Sequence, residues 1–316
     1  MKVEIKEKEE WFKIANELGK ATVNCHPDFV EIISNVFEVI PYCAIIYANE
    51  IPILGILAYS KKKSIVHPST YFYTAVWSNS NSTLKLQEAF ITYISSLKQK
   101  FKFMEFLLPP HVTDVRPFIY TGFKPYVNYT YVNNLIETKI NSDEKILKNK
   151  SDRIGVIYKW EDDNIDVLQQ HLRSFSQLGY SRSFVRKMEL LCSKLLEKNF
   201  LKALSARLND NLLASSFTLI DNYQKKSYNL LVTSLKTHYS TRVHSGLYIK
   251  IFEYLRSLGI REIDLFGATT KGIGNFKSNF GSELKPFYYV KYNFLRWQIV
   301  KIWNFLKLPL FKILNK

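Results

Sequence analysis

The amino-acid sequence predicts two α/β (α+β) domains of like plan in tandem, each a mixed sheet flanked by helices. Three observations predict it: enough apolar sequence for two cores, an internal repeat in constant register, and strands alternating with single crossover helices. The chain has 316 residues and is 47% hydrophobic, which allows a buried core in each half and argues against disorder.

Shifted against itself by about 160 residues, the sequence shows weak matches that keep their order, as a diverged duplication does. The first is a hairpin. Residues 45–48, a turn at Asn49 and Glu50, and residues 53–59 correspond to 204–208, a turn at Asn209 and Asp210, and 212–220. The second is a helix that feeds a strand, residues 93–97 before 103–107 and 254–258 before 262–266. The third sets Phe118 and residues 122–126 against Phe276, Phe280, Gly281 and residues 285–287. Each leads into a tyrosine-rich strand, 126–132 or 287–292. Short apolar strands are common, but one offset shared by three elements is hard to obtain by chance.

The remaining elements follow from periodicity. In the first half, an amphipathic helix at 28–39 precedes the hairpin, strands follow at 64–67 and 71–77, and a helix at 84–100 leads to the strand at Phe103. In the second half, helices at 166–177 and 183–199 precede the hairpin. A strand at 227–234, a helix at 246–258 and a strand at 261–266 follow it. Gly259 stands where a helix ends in a left-handed residue. Between the halves, apolar periodicity stops at 137–151, where Asn, Lys, Ser and Asp dominate, so a linker is expected there. The expected domains are residues 1–140 and 141–292, with a basic amphipathic C-terminal helix at 293–316.

The formal charge of +16 makes a surface that draws phosphate in any form, whether coenzyme A, nucleotide sugar, tRNA or anionic lipid. The same lysines also keep an aromatic-rich chain in solution. Cys25, Cys43 and Cys192 are widely spaced and show no C-x-x-C pattern, so neither a disulfide framework nor a zinc site is expected, and a reducing cytoplasm fits. No histidine falls in H-E-x-x-H spacing and no G-x-S-x-G elbow is present. Metal-dependent hydrolysis and serine esterase chemistry are thereby disfavoured, and no metal is expected.

Two loops carry the candidate chemistry. After the strand at 227–234, a polar run from Lys236 through Tyr239, Arg242, His244 and Ser245 to Gly246 enters a helix. The first helical N–H groups lack internal partners, so such a passage is an anion cradle; Ser245 suits a cap there and Gly246 a close backbone approach. The plainer reading is an ordinary capped helix. His238 and His244 are available as bases, or as polar surface. The second loop leaves a strand at Asp264 and runs through Gly267, Lys271, Gly272, Gly274 and Asn275 to Lys277, a composition that suits a phosphorylated ligand. Strand alternation sets Asp264 opposite Ile263 and Leu265, toward a cleft; otherwise Asp264 caps a loop and Lys277 is solvated.

The passage at 239–247, the helix end and strand at 258–267, and above all Gly274-Asn275-Phe276-Lys277-Ser278-Asn279-Phe280-Gly281 carry a resemblance. They resemble the GNAT-type acyltransferase domains of Fem-type peptidoglycan aminoacyltransferases and of their acyl-CoA-using relatives in cell-surface polysaccharide clusters. The last stretch is similar to the family's F-K-x-x-F/W-G ending. The resemblance implies tandem GNAT domains over residues 20–292, with Lys277 at the substrate cleft and Tyr239, Arg242 and Asp264 lining it. It further implies direct attack of an amine on an activated carbonyl, with acyl-CoA as donor and catalysis by Lys277, Asp264 and Tyr239. Arg242, His244, Ser245, Gly246, Lys271, Gly272, Gly274 and Asn275 would bind substrate or donor. The Q/R-x-x-G-x-G/A phosphate loop of the wider family is absent, as is a long coiled-coil insertion of the kind tRNA users carry. The acceptor implied is an amino sugar or related cell-envelope precursor, phosphorylated or lipid-linked. Aminoacyl transfer from tRNA and a non-catalytic nucleotide-sugar module stand as alternatives.

Residues 293–316 are rich in Leu, Ile, Phe and Trp, interrupted by Arg296, Lys301, Lys307 and Lys312 and kinked by Pro309. Such a segment suits either a membrane interface or packing on its own domain, and its recurring charges oppose spanning. The expected location is cytoplasmic, with peripheral contact on the inner membrane face through this segment.

Overall fold

The computed structural model describes residues 1–316 except 69–71, 138, 162–164, 178, 235–242, 269 and 296–316. Along the chain run β1 (Lys2–Lys6), α1 (Lys8–Glu17), α2 (Pro27–Phe37), β2 (Ile40–Ala48), β3 (Ile51–Lys61), β4 (Ser64–Val66) and β5 (Ala75–Ser78). Then come α3 (Thr83–Lys98), β6 (Phe103–Leu108), α4 (Arg116–Tyr120), β7 (Lys124–Asn134), α5 (Ser142–Arg153) and β8 (Ile157–Glu161). The remainder is α6 (Ile165–Gln177), α7 (Arg182–Glu197), β9 (Leu201–Leu208), β10 (Asn211–Asp221), β11 (Lys226–Ser234), α8 (Val243–Ser257), β12 (Glu262–Asp264), α9 (Lys271–Ser278) and β13 (Glu283–Asn293).

The duplicated plan is present in order, since β1, α1, α2 and the β2–β3 hairpin recur as β8, α6, α7 and β9–β10, while β5 has no counterpart among the described residues. Both predicted hairpin turns are tight two-residue turns with positive φ, 49° and 67° at Asn49 and Glu50, 48° and 61° at Asn209 and Asp210. That is the geometry whose twist matches flanking strands. Gly259 ends α8 at φ 71°, with its N–H on the Arg256 carbonyl and that of Ile260 on the Leu255 carbonyl.

Packing groups the chain otherwise than a single cut at 140 would. Among the described residues, one compact unit contains 1–18, 38–127 and the chain from 287 to 295; the other contains 19–37 and 128–286. Strand pairing is the cause. From Tyr288, β13 pairs with β6 of the first unit, whereas Val132 to Asn134 of β7 pair with β12 of the second. Each unit thus receives its last strand from the other half of the chain. Likewise α2 lies against α7, where Phe29 meets Phe200 edge-on at 5.7 Å and Asp28 pairs with Lys198.

In the first unit the strands run β1-β2-β3-β4-β6-β13, with β5 also on β3. Phe90, Tyr93, Ile94 and Leu97 of α3 pack with Ala44, Ile46, Leu54 and Ile56 in its core. In the second the order is β7-β12-β11-β10-β9-β8. Its β10 is buried from Leu213 to Asp221, as expected of a central strand covered on both faces. Leu247, Ile251, Phe252 and Leu255 of α8 join Leu204, Ala206 and Ala214 in one core cluster. His171 of α6 meets Phe217 on β10 at 5.1 Å.

The expected linker at 137–151 is mostly the helix α5. Asn141 caps it by accepting the Asp143 N–H at 3.0 Å, acidic residues occupy its first turn, and Lys150 and Arg153 its last, all favourable to the helix dipole. Low hydrophobicity hid it, because its buried residues are Glu144 and Ser151.

Candidate functional site

The second unit contains a parting of parallel strands. β11 and β12 pair only from Lys226–Glu262 to Tyr228–Asp264. Past that point the chain after β12 turns to β7 instead, with the Leu265 N–H on the Tyr131 carbonyl at 2.8 Å and the Ala268 N–H on Tyr129 at 3.0 Å. β11 continues to Ser234, bonded to β10 on its other side. Its remaining edge has no strand partner among the described residues, and we call this junction, where the two parallel strands separate, the slot.

Asp264 and Lys277 hold the turn beside this slot. Asp264 is buried; its Oδ1 accepts the Thr130 hydroxyl and, at 2.8 Å, the Phe266 N–H. Phe266 and Gly267 both have positive φ, 48° and 61°, a conformation strained for phenylalanine and needing external support. Lys277 supplies it from α9. Its Nζ donates to the carbonyls of Leu265 at 2.7 Å, of Phe266, and of Gly267 at 3.3 Å. An ammonium has three protons, so three carbonyls exhaust it. Burial pushes the Lys277 ammonium down to about 8, with Asp264 opposing the shift, so it remains mostly charged at neutral pH. The side chain expected at the substrate cleft is therefore a buried clamp on the turn, and Asp264 does the same from the strand. Both act on the slot through backbone shape.

The predicted phosphate cradle resolves differently. Ser245 is buried and donates to Glu144 of α5, whose other oxygen accepts from Asn279 at 2.9 Å. A carboxylate beside Ser245 opposes a phosphate there. Gly246 answers to packing: a Cβ on it would lie 1.9 Å from the Tyr158 hydroxyl. His244 sets its ring edge-on to Phe276 at 6.3 Å, and burial lowers its pKa. On α9, Gly274 is buried, and an added Cβ would lie 3.0 Å from the Ala268 carbonyl; Lys271, Gly272 and Asn275 are exposed. Tyr239, Arg242 and His238 lie outside the described residues, as does the C-terminal segment from 296.

Sequence reasoning missed a cavity. About 210 Å³ opens between α6 and the β10–β11 pair, lined by His171, Ser174, Ser215 and Thr233, with Arg173 among the exposed lining residues. Thr233 belongs to β11 beyond its last pairing with β12, which ties the cavity to the slot. A lone histidine on an amphipathic helix carries no signal that could have found it. Among the described residues no group of three or more His, Cys, Asp or Glu could hold a metal, and no helix is long and apolar enough to cross a membrane.

No protein-family model matches the sequence, and no curated protein matches it. Solved structures do. FemX superposes with a TM-score of 0.64 at 11% identity, over 91% of this chain and 97% of its own. L-PGS from Bacillus licheniformis gives 0.57 at 11% identity over 92% and 93%. A tandem GNAT protein from the clavulanic acid biosynthesis pathway gives 0.53 at 9% identity over 92% and 97%. These likenesses show the fold: mixed α/β, in two tandem units, shared over nearly the whole chain with FemX and with the tandem GNAT protein.

Proposed function

We propose that the protein is an N-acyltransferase whose second unit moves an acyl group from acyl-CoA to an amine of an amino sugar or related cell-envelope precursor. The observation that carries this reading is the parting of β11 from β12 past Tyr228 and Asp264. An exposed strand edge offers N–H and C=O groups in the spacing that an extended amide chain can match, as in strand addition. The pantetheine arm of coenzyme A is such a chain. In the reaction, the neutral amine attacks the thioester carbonyl, the C–N bond forms as the C–S bond breaks, the amine proton leaves to a base, and thiolate departs. Lys277 and Asp264 are positioning residues in this reading, because they shape the turn at the slot. The charge of +16 also suits tRNA, and aminoacyl transfer is the second reading. The segment at 293–316 would keep the protein on a membrane face near a lipid-linked acceptor.

The purified full chain is to be offered a panel of acyl-CoAs with D-glucosamine, and separately aminoacyl-tRNA with the same acceptor, with thiol release and acylated product followed by mass spectrometry. Acceptor-dependent release of coenzyme A is expected. Discharge of tRNA alone would transfer the proposal to the second reading, and retention of a nucleotide sugar with no discharge of either donor would reduce the fold to a binding module.

A further inference from the structure

One end of the first unit's sheet gathers lysines and uncovered apolar side chains. Strand register places them in a row. Ile40 opens β2 opposite Ser60, and Lys61 pairs with Ser64 across the β3–β4 turn at Lys62 and Lys63. Ser64 stands beside Phe103 at the start of β6, and Phe103 faces Asn293, the last residue of β13. The Lys102 N–H donates to the Lys63 carbonyl at 3.1 Å and the Phe294 N–H to the Lys102 carbonyl at 3.0 Å, so these strand ends are tied together. Neighbouring strands lie about 4.8 Å apart, which gives the row from Ile40 to Asn293 a length of about 19 Å.

Ile40, Phe103, Phe294 and Leu295 are exposed along it, Ile40 by 68% and Leu295 by 63%. Lys61, Lys62, Lys63, Lys100, Lys102 and Lys291 are exposed beside them. Two carboxylates answer this charge: Glu38 pairs with Lys61 at 3.3 Å and Glu105 with Lys291 at 3.6 Å. Lys62, Lys63, Lys100 and Lys102 make no ion pair among the described residues. The opposite ends of the same strands are of another composition, with Asn49 and Glu50 at the β2–β3 turn and Pro109 and Pro110 after β6.

We infer that this end of the first unit docks on an anionic lipid surface, with the unpaired lysines on lipid phosphates and Ile40, Phe103, Phe294 and Leu295 in the headgroup boundary. The inference rests on the membrane contact proposed for residues 293–316, extends it to the folded domain, and is independent of acyl transfer. Three arguments select a lipid surface. Lysines near an anionic leaflet are attracted to it, and their long stems lie along apolar surface while the ammonium reaches the phosphates. The apolar side chains gain from entering the interface, whereas a nucleic-acid backbone would take the lysines and leave Ile40 and Leu295 in water. Finally, the chain continues from this row at Leu295 into residues 296–316, where Trp297 and Trp303 with Arg296, Lys301, Lys307 and Lys312 repeat the same pairing of aromatic and basic residues.

The purified full chain is to be sedimented with vesicles of phosphatidylcholine alone and of phosphatidylcholine mixed with phosphatidylglycerol. Binding to the anionic vesicles only is expected. Combining Lys62→Gln, Lys63→Gln, Lys100→Gln and Lys102→Gln should weaken it about a hundredfold, and Phe103→Ser alone about tenfold. The same loss of charge on the second unit, through Lys145→Gln, Lys150→Gln, Arg182→Gln and Arg186→Gln, should leave binding within about threefold of the parent. Equal losses in the two fourfold variants overturn the inference, since net charge alone would then explain binding. Binding that survives the row variant but is lost with Lys301→Gln, Lys307→Gln and Lys312→Gln also overturns it and leaves the membrane contact to the tail. Loss of tRNA binding in the row variant, with vesicle binding unmoved, overturns it in favour of nucleic acid. Consumption of acyl-CoA with D-glucosamine, an acceptor in solution, should match the parent in the row variant. If no variant and no parent consumes acyl-CoA while the row variant loses vesicle binding, acyl transfer falls and the docking surface stands.

Discussion

The two units share one topology and differ where their parallel strands part. In the first, β4 and β6 pair at Ser64–Phe103 and Ile65–Met104. Beyond that point Thr74 stitches the gap: its N–H donates to the Leu107 carbonyl at 2.8 Å, and its hydroxyl accepts the Leu107 N–H at 3.2 Å. Trp77 fills the space over β3, so close to Gly55 that a Cβ there would lie 2.1 Å from the indole. In the second unit no such stitch reaches β11 among the described residues, and the turn after β12 is clamped toward β7 by Asp264 and Lys277. Aligning Phe118 with Phe276 puts Ile119 in the place of Lys277, and Ile119 is exposed. Among the described residues, one junction is thus closed by Thr74 and Trp77, and the other shows no such closing contact.

The clamp is the point at which this contrast is most easily broken. Lys277→Met should lower the stability of the second unit by about 3 kcal/mol, since buried carbonyls lose their donors at once. It should also abolish donor binding, with Ile119→Met changing neither. Separate thermal transitions for the two units, read by calorimetry, would check this; a Lys277→Met protein that melts like the parent would show that the carbonyl cage contributes nothing.

Acid should separate the units by a smaller amount. The folded pKa of His171, about 3, lies below its unfolded value near 6.5, so the unfolded chain takes up the proton first. Stability is therefore full above about pH 6.5 and is lost as pH falls toward 3, by about 1.4 kcal/mol per pH unit from this group. At pH 5 the loss amounts to about 2 kcal/mol, and denaturant unfolding of His171→Gln should show a shallower acid limb than the parent.

The smallest effect is expected in the closed junction. Thr74→Val removes the acceptor for the buried Leu107 N–H and should cost the first unit about 1 kcal/mol. Acyl-CoA turnover should not change. A fall in turnover would mean that the first junction takes part in the reaction and would cancel the division of roles.

Much of this fold was legible because it is local. The hairpins announced themselves through Asn-Glu and Asn-Asp pairs between apolar strands, and the end of α8 through Gly259. Helix α5 was read as a linker, because its buried residues are Glu144 and Ser151 and its hydrophobicity is low. The site was read from residue types. Gly246, Lys277 and Asp264 look like ligand-binding residues by type, and the structure gives each a neighbour within the protein that explains it.

The sequence by itself determined the number of domains, their repeated order of strands and helices, and the turns that set strand register, because these depend on short-range periodicity and backbone preference. Only the tertiary structure decided which strands complete each unit, where β12 leaves β11 for β7, and that His171 and Lys277 are buried. Those outcomes depend on hydrogen bonds and packing between residues far apart in the chain, such as Thr130 with Asp264 and His171 with Ser215, which no local pattern encodes.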